Sequence, residues 1–460
     1  MQPNTRKLLI GILLCGLILR MCAVMWFNPP AFSDDKDYKE IARNITEGRG
    51  YTLEGKPTAY RTPGYPIVIA CTYKLFGYTN YPIRILQVFL DLGSCFLLFL
   101  IGRKFFSERV ALLASGIFAF FPAQILYTCE FMTETSFTFI LLLIVWLVLS
   151  NNSLHGIQRN VVIGLLIGIA ILIRSTALLL PFIIMLSRWK FGLSLRKNLI
   201  GLAVISVTAV VILSPWLVRN YSTFHRISIT SNTGVNFWIG NHAGASGSYS
   251  FPKDNNPLEE IKDNYECSDL GMKLGKEFIT AHPGEYLILL AKKFAHFFSA
   301  DYWLMTTIQY FPNAKEYPNA ASLFSKINPW LFWSIQLPFV LILLAGTFGL
   351  VCRGTSEQNI TFILWTTILY WLVVHLIFYA GARYRFPIVP FIILAAAYAW
   401  YLWRERRYCC TKIRTALFVI LIALFLGGWI AEYVTIRTKA VPFLPVPTSS
   451  YDRFTKIIDR

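Results

Sequence analysis

Two neighbouring carboxylates, Asp34 and Asp35, open a polar segment, Ser33-Asp34-Asp35-Lys36-Asp37-Tyr38, and Arg61 follows within Tyr60-Arg61-Thr62-Pro63-Gly64-Tyr65-Pro66. The segment comes directly after the first apolar run, so it lies at a bilayer surface. Carboxylates beside an arginine in that place suit group transfer from a lipid-borne phosphate. The carboxylate takes a hydroxyl proton, and the guanidinium fork holds the departing phosphate. The same acidic residues behind a serine also suit a helix N-terminus, where each stabilises by about 0.3–1 kcal/mol through the helix dipole. That dipole keeps a carboxylate ionised and makes it a weaker base.

Further charges fall inside or beside apolar runs: Arg20, Asp91, Glu130, Glu134, Arg174, His375 and the Arg383-Tyr384-Arg385 triplet. Charge in a membrane span is costly and marks a functional cavity by default, although a long arginine can also reach headgroups by snorkelling. Arg20, Glu134, Arg174 and Arg383 are all expected near the leaflet that carries Asp34 and Arg61. Together they offer a base and several cations for moving a sugar from a lipid-linked phosphate to a hydroxyl. A single displacement of that kind inverts the anomeric carbon.

The elements that position these residues are membrane helices. The 460 residues are 55% hydrophobic and 16% aromatic, with a mean hydropathy of +0.51, and runs near the roughly 20 residues needed to cross a bilayer recur along the chain. Spans are expected near 7–27, 82–101, 110–126, 134–150, 199–217, 330–351, 360–380, 385–403 and 413–432. The run 161–187 is broken by Arg174 and reads as two short crossings. The run 286–304 holds Lys292, Lys293 and His296 and is ambiguous. Eleven crossings result, or thirteen if the ambiguous run crosses twice.

Lys and Arg in the short loops set the orientation. Arg103, Lys104, Arg109, Arg159, Arg188, Lys190, Arg196, Lys197, Arg404, Arg406 and Arg407 crowd one side, which puts the N-terminus in the cytoplasm. Loops 28–81 and 218–329 and the C-terminal tail are then outside. The first loop reads as a helix begun at Ser33 with an apolar face of Tyr38, Ile41, Ala42 and Ile45, closed by Gly48 and Gly50. A second, surface-lying helix follows at 65–76. The later loop opens with a Gly/Asn-rich stretch, 232–241, and continues into an amphipathic helix near 258–280. Domain organisation is one membrane unit, 1–440, and a short tail, 441–460, Pro-rich at 442–447.

The net charge of +18 suits anionic headgroups rather than nucleic acid. The first helix lacks a cleavage site and reads as a retained anchor. Nine scattered cysteines without a CxxC pair suggest neither a disulfide framework nor a zinc site.

In this order the motifs resemble the GT-C glycosyltransferases, in particular the family-39 type: protein O-mannosyltransferases and the bacterial aminoarabinose transferase that acts on lipid A. The matching residues are Asp34-Asp35-x-x-Tyr38, Arg61-x-Pro63-Gly64-Tyr65-Pro66, Thr133-Glu134, Arg174, Gly234-x-Asn236-x-Trp238-x-Gly240-Asn241 and Arg383-Tyr384-x-x-Pro387. The resemblance implies an all-α GT-C bundle and a polyprenyl-phosphate sugar donor. It also implies a site on the periplasmic or extracellular face of the plasma (inner) membrane. It makes Asp34 the expected base, with Asp35 orienting the acceptor or holding an optional divalent cation. Arg61, Arg174 and Arg383 take the donor phosphate, and Tyr38, Glu134, Tyr65 and Asn241 support them. No metal-ligand spacing appears. Asp35 stands where Glu is common, Arg61 stands where the aminoarabinose transferase has lysine, and the extra domain of eukaryotic protein mannosyltransferases has no counterpart here.

The expected function is therefore an inverting glycosyltransferase, with lipid A, a glycan or a protein as acceptor. The partners are the lipid-linked donor and the membrane lipids, with no nucleic acid. The rivals are a lipid-sugar flippase or transporter, which usually shows repeated halves, and a non-catalytic scaffold of the same fold. No repeat is visible in the chain.

Overall fold

The computed structural model describes residues 1–27, 34–150, 156–252, 256–302, 304, 305, 308, 328–352 and 358–438. Ser33, Trp303, Tyr310 and the 441–460 tail lie outside them. Almost all of the ordered elements are helical: α1 (Pro3–Trp26), α2 (Asp34–Thr46), α3 (Gly64–Phe76), α4 (Tyr81–Phe105), α5 (Glu108–Ala119), α6 (Pro122–Tyr127), α7 (Glu134–Leu149), α8 (Gly156–Ile173), α9 (Leu180–Lys190), α10 (Leu195–Phe224), α11 (Thr233–Ile239), α12 (Asn264–Ala281) and α13 (Pro283–Phe297). After the later loop come α14 (Pro329–Val351), α15 (Gln358–Ile377), α16 (Val389–Arg404) and α17 (Lys412–Thr438). The only strands among the described residues form a two-residue hairpin, β1 (Thr52–Leu53) with β2 (Lys56–Pro57). Its turn places Glu54 and Gly55 at φ 51° and 74°, the left-handed pair that a tight hairpin needs.

Among the described residues seven helical runs are long and apolar enough to span a bilayer: α1, α4, α8, α10, α14, the run Ala382–Arg404 and the first part of α17, Lys412–Glu432. Shorter apolar helices are α7 and Phe362–Ile377 within α15. The protein is a multi-pass membrane protein. The remaining expected crossings are short or broken pieces, and proline is one cause. Pro122 begins α6, so the run read as 110–126 is α5 followed by a six-residue helix. The 161–187 run is unequal rather than two similar halves. One full 18-residue helix, α8, ends at Ile173, and after the extended Arg174 a 3₁₀ turn (Ser175–Leu179) leads into the shorter α9. The amphipathic helix expected near 258–280 starts later, at Asn264, where Asp263 caps the backbone N–H groups of Tyr265 and Glu266.

The bundle core is built from the inward faces of α4, α5, α7, α8, α14, α15 and α16. A smaller core seats the first loop upon it. Tyr38 and Ala42 of α2 bury against Tyr65, Ile69, Ala70 and Tyr73 of α3 and against Phe131 and Met132. The i, i+3, i+4 spacing of Tyr38, Ile41 and Ala42 makes that face continuous. The start of α3 packs on the end of α8 so closely that a Cβ at Gly64 would sit 2.8 Å from the Leu172 carbonyl oxygen. Thr62 donates to the Ile173 carbonyl beside it (2.8 Å). The loop bearing Arg61 is thereby fixed next to Arg174.

Candidate active site

α2 begins at Asp34 and carries Asp34, Asp35 and Asp37 in its first turn. Successive residues on a helix are turned by about 100°, so residues three apart share a face and adjacent ones do not. Asp34 and Asp37 accordingly face the same arginine. Arg61 donates from Nη2 to Asp34 (2.7 Å), and from Nε and Nη2 to Asp37 (3.0 and 2.7 Å). The backbone of Arg61 is held in turn, because the Tyr51 hydroxyl donates to its carbonyl (2.9 Å).

The second oxygen of Asp34 is taken from far along the chain. Arg383 lies in the 3₁₀ segment Ala382–Ile388 and donates from Nη2 to Asp34 Oδ2 (2.6 Å). The Arg383 Nε lies 3.1 Å from Glu134 Oε1, and Arg174 Nη1 approaches the same oxygen at 2.9 Å while also donating to the Thr133 hydroxyl (3.0 Å). The resulting chain of alternating charge is Asp37–Arg61–Asp34–Arg383–Glu134–Arg174. It is drawn from the starts of α2 and α7, the end of α8, the segment before α3 and the segment before α16. Asp34, Arg61, Arg383 and Arg174 keep 19%, 16%, 14% and 11% of their side chains exposed, against 1% for Glu134. The network thus opens at Asp34 and closes at Glu134. Burial works against charge on Asp34, but Arg61 and Arg383 outweigh it and hold its carboxyl well below the usual carboxylate range.

Asp35 points elsewhere. It is buried and shares an electrostatic neighbourhood with Lys39, Arg84 and Glu130. Burial, and next the Asp35 carboxylate, push the Glu130 carboxyl up to about 8 against Arg84, Arg383 and Lys39. Among the described residues no three carboxylate, histidine or cysteine groups converge as a metal site.

The supporting residues divide. Tyr38 lies against Arg61, its ring centre 5.6 Å from the guanidinium carbon, and packs edge-on to Tyr65. Tyr65 donates to Gln87 (2.8 Å), whose amide donates to the carbonyls of Thr128 and Glu130 (2.9 and 2.8 Å). Asn241 touches none of the ion network. It donates to the Ile377 carbonyl (2.9 Å) and accepts from Lys293 (2.8 Å), which also donates to the Leu376 carbonyl (2.9 Å). Asn241 and Lys293 therefore satisfy the last carbonyls of α15, six and seven residues before Arg383. Gly240 belongs to the same joint, since a Cβ there would overlap the Phe378 carbonyl. Arg20 is not at the site: it pairs with Asp91 inside the bundle (2.7 Å). Asp37 is the residue that the sequence reading did not single out, and its i, i+3 spacing from Asp34 is the signal that points to it.

The family of dolichyl-phosphate-mannose-protein mannosyltransferases has a model that matches residues 60–218, a stretch containing Arg61, Glu134 and Arg174. Among solved structures, the Archaeoglobus fulgidus oligosaccharyltransferase tethered with an acceptor peptide is similar, at 12% identity and a TM-score of 0.53, over 99% of this chain and 57% of that one. Its apo form gives 13% identity and a TM-score of 0.51, over 96% of this chain and 56% of that one. ArnT from Cupriavidus metallidurans bound to undecaprenyl phosphate gives 14% identity and a TM-score of 0.44, over 85% and 77%. No curated protein sequence matches. The chain spans a little over half the length of the oligosaccharyltransferase. It is a multi-pass membrane protein with the fold of the GT-C glycosyltransferases.

Proposed function

We propose that this protein is an inverting glycosyltransferase that moves a sugar from a polyprenyl-phosphate donor to an acceptor hydroxyl on lipid A, a glycan or a protein. One observation carries the reading. Asp34 is held between two arginines 322 residues apart in sequence, at the partly exposed mouth of a charge network at one end of a membrane bundle. The match to a family whose named donor is dolichyl-phosphate-mannose supports the donor class.

The residues then take the following roles. Asp34 accepts the proton of the acceptor hydroxyl. The oxygen of that hydroxyl forms a bond to the anomeric carbon as the bond from that carbon to the phosphate oxygen breaks. The bonding electrons leave with polyprenyl phosphate, whose added negative charge is met by Arg61 and Arg383, with Arg174 behind them. Glu134 keeps Arg383 and Arg174 in register. The site lies at the end of the bundle where α1 finishes and α4 begins. The opposite end carries Arg103 and Lys104 of α4, Arg188 and Lys190 of α9 and Arg404 of α16. That asymmetry supports a cytoplasmic N-terminus in the plasma or inner membrane and a site facing the periplasm or exterior.

Mass spectrometry of surface glycans and glycolipids, from cells with and without the gene product and cells complemented by Asp34→Asn, tests the function. A hexose or pentose addition present with wild type and absent with Asp34→Asn is expected. A flippase would keep lipid translocation in that variant, and an unchanged glycan profile across all cells would remove the proposal.

A further inference from the structure

Each arginine beside Asp34 has a second carboxylate of its own. Arg61 is held at Nε and Nη2 by Asp37, at 3.0 and 2.7 Å, and Arg383 is approached at Nε by Glu134, at 3.1 Å. Asp34 is the one carboxylate common to both. Its Oδ1 occupies the Nη2 of Arg61 and its Oδ2 the Nη2 of Arg383, at 2.7 and 2.6 Å. If Asp34 were lifted out, two guanidinium groups would remain, each still anchored from its far side and each with a donor turned toward the vacated place. Two converging N–H donors suit two oxygens of a phosphate as well as those of a carboxylate.

We propose that the donor phosphate displaces Asp34 from Arg61 and Arg383, while Asp37 and Glu134 act as positioning residues that keep the two guanidinium groups in place. This rests on the glycosyltransferase reading and adds an order of events to it. Before donor binds, both oxygens of Asp34 are occupied and the carboxylate is a poor proton acceptor. After donor binds, those oxygens are released next to a new anion.

Charge is conserved through the exchange and the transfer that follows it. The three arginines Arg61, Arg174 and Arg383 are matched by the three carboxylates Asp34, Asp37 and Glu134. A bound phosphodiester brings the site to one net negative charge, and a proton transferred from the acceptor hydroxyl to Asp34 leaves the side chains with one net positive charge facing a departing phosphate that has gained one negative charge. The base is therefore armed by the substrate whose bond is to be broken, which disfavours proton removal when no donor is present. The neighbouring Asp35 stands in the same helix turn but belongs to the electrostatic neighbourhood of Lys39 and Glu130. It is the natural control.

The experiment measures affinity of the purified full-length protein in detergent for a short-chain polyprenyl methyl phosphate, a diester with one fixed negative charge. Asp34→Asn and Asp34→Ser are each expected to bind it about tenfold more tightly than wild type, because a competitor for two charge-assisted bonds is gone. Asp35→Asn is expected to bind within twofold of wild type. Equal or weaker binding by both Asp34 variants, or equal tightening by Asp35→Asn, overturns the displacement. Absence of binding by wild type and all variants instead removes the glycosyltransferase reading itself. For the positioning role, Asp37→Asn is expected to raise the donor KM severalfold with a smaller change in kcat, and Asp37→Glu to recover it. A lowered donor KM in Asp37→Asn would show that Asp37 competes with phosphate and would overturn that part.

Discussion

Two arginine–carboxylate assemblies in this bundle use the same chemical groups to opposite ends. Arg20 and Asp91, on α1 and α4, are fully buried. Besides Asp91, the guanidinium of Arg20 donates to the carbonyls of Gly16 (3.1 Å) and of Ala119 (2.8 Å), the last residue of α5. It closes a helix end and has neither solvent access nor a donor aimed at open space. The Asp34 network is partly open, and its central carboxylate is shared between two cations that each have another partner. An arginine saturated by backbone carbonyls pins helices together. An arginine held by an exchangeable carboxylate can trade it for a phosphate. Charge within an apolar run is therefore functional or structural according to what fills its donors.

The sharpest separation comes from one residue of each assembly, Asp34 and Arg20. Asp34→Asn is expected to lower sugar transfer by about 10²–10⁴-fold, the usual contribution of a general base, with the protein still folded and monodisperse in detergent. Transfer by folded Asp34→Asn within threefold of wild type would put the base elsewhere. Arg20→Ala should do the reverse. It leaves Asp91 as an uncompensated buried charge, which costs about 3–5 kcal/mol, so yield and thermal midpoint fall while transfer per folded molecule stays near wild type. The double variant Arg20→Met/Asp91→Leu should recover most of the midpoint. Arg20→Ala protein that is stable but inactive would erase the contrast between the two assemblies.

Glu134→Gln sharpens the comparison at smaller amplitude. Glu134 Oε1 is approached by both Arg174 and Arg383, so the amide keeps an acceptor there but loses the charge. A loss of transfer of about tenfold is expected, from the weakening of these two ion pairs, smaller than the loss in Asp34→Asn. A loss as large as that of Asp34→Asn would move Glu134 from support to chemistry.

Much of this was legible from residue order. An acidic turn following an apolar run announced α2, and its apolar spacing is the face that buries on α3. Arg174 stood out because it interrupts a run that is otherwise all apolar, and an interruption of that kind marks the end of a crossing. Depth was less informative. Arg20 and Arg174 are both expected near one leaflet, yet rotation about the helix axis decides which neighbour each meets, and single-residue depth does not encode rotation. The adjacent pair Asp34-Asp35 drew attention from Asp37 for a similar reason: adjacency along the chain is separation around a helix. Asn241 sits in a Gly/Asn-rich motif that suggests contact with the site. Its work instead is to close the end of α15, together with Lys293 from another helix, and that pairing has no local sequence signal.

The last expected effect concerns stability rather than transfer, at the other face of α2, and it gives the two faces opposite pH behaviour. Asp34 is held ionised well below the usual carboxylate range by Arg61 and Arg383 despite its burial. The stability it contributes is present above the unfolded carboxylate pKa, near 4, and is lost only as pH falls through its depressed folded value. Between pH 5 and 9 it adds no slope. Glu130, in the turn between α6 and α7, is raised by burial and by Asp35 to about 8. From about pH 4.5 to 8 the folded protein therefore holds a proton that the unfolded chain has released, and stability falls as pH rises, by at most about 1.4 kcal/mol per unit. The thermal midpoint of wild type in detergent should decline across that window, and Glu130→Gln, which needs no proton to remain neutral, should flatten the decline. Asp35→Asn should reduce it in part, because the like charge that helps raise Glu130 is gone. A decline of the same slope in Glu130→Gln would assign it to another group and leave the buried face of α2 electrically silent in this range.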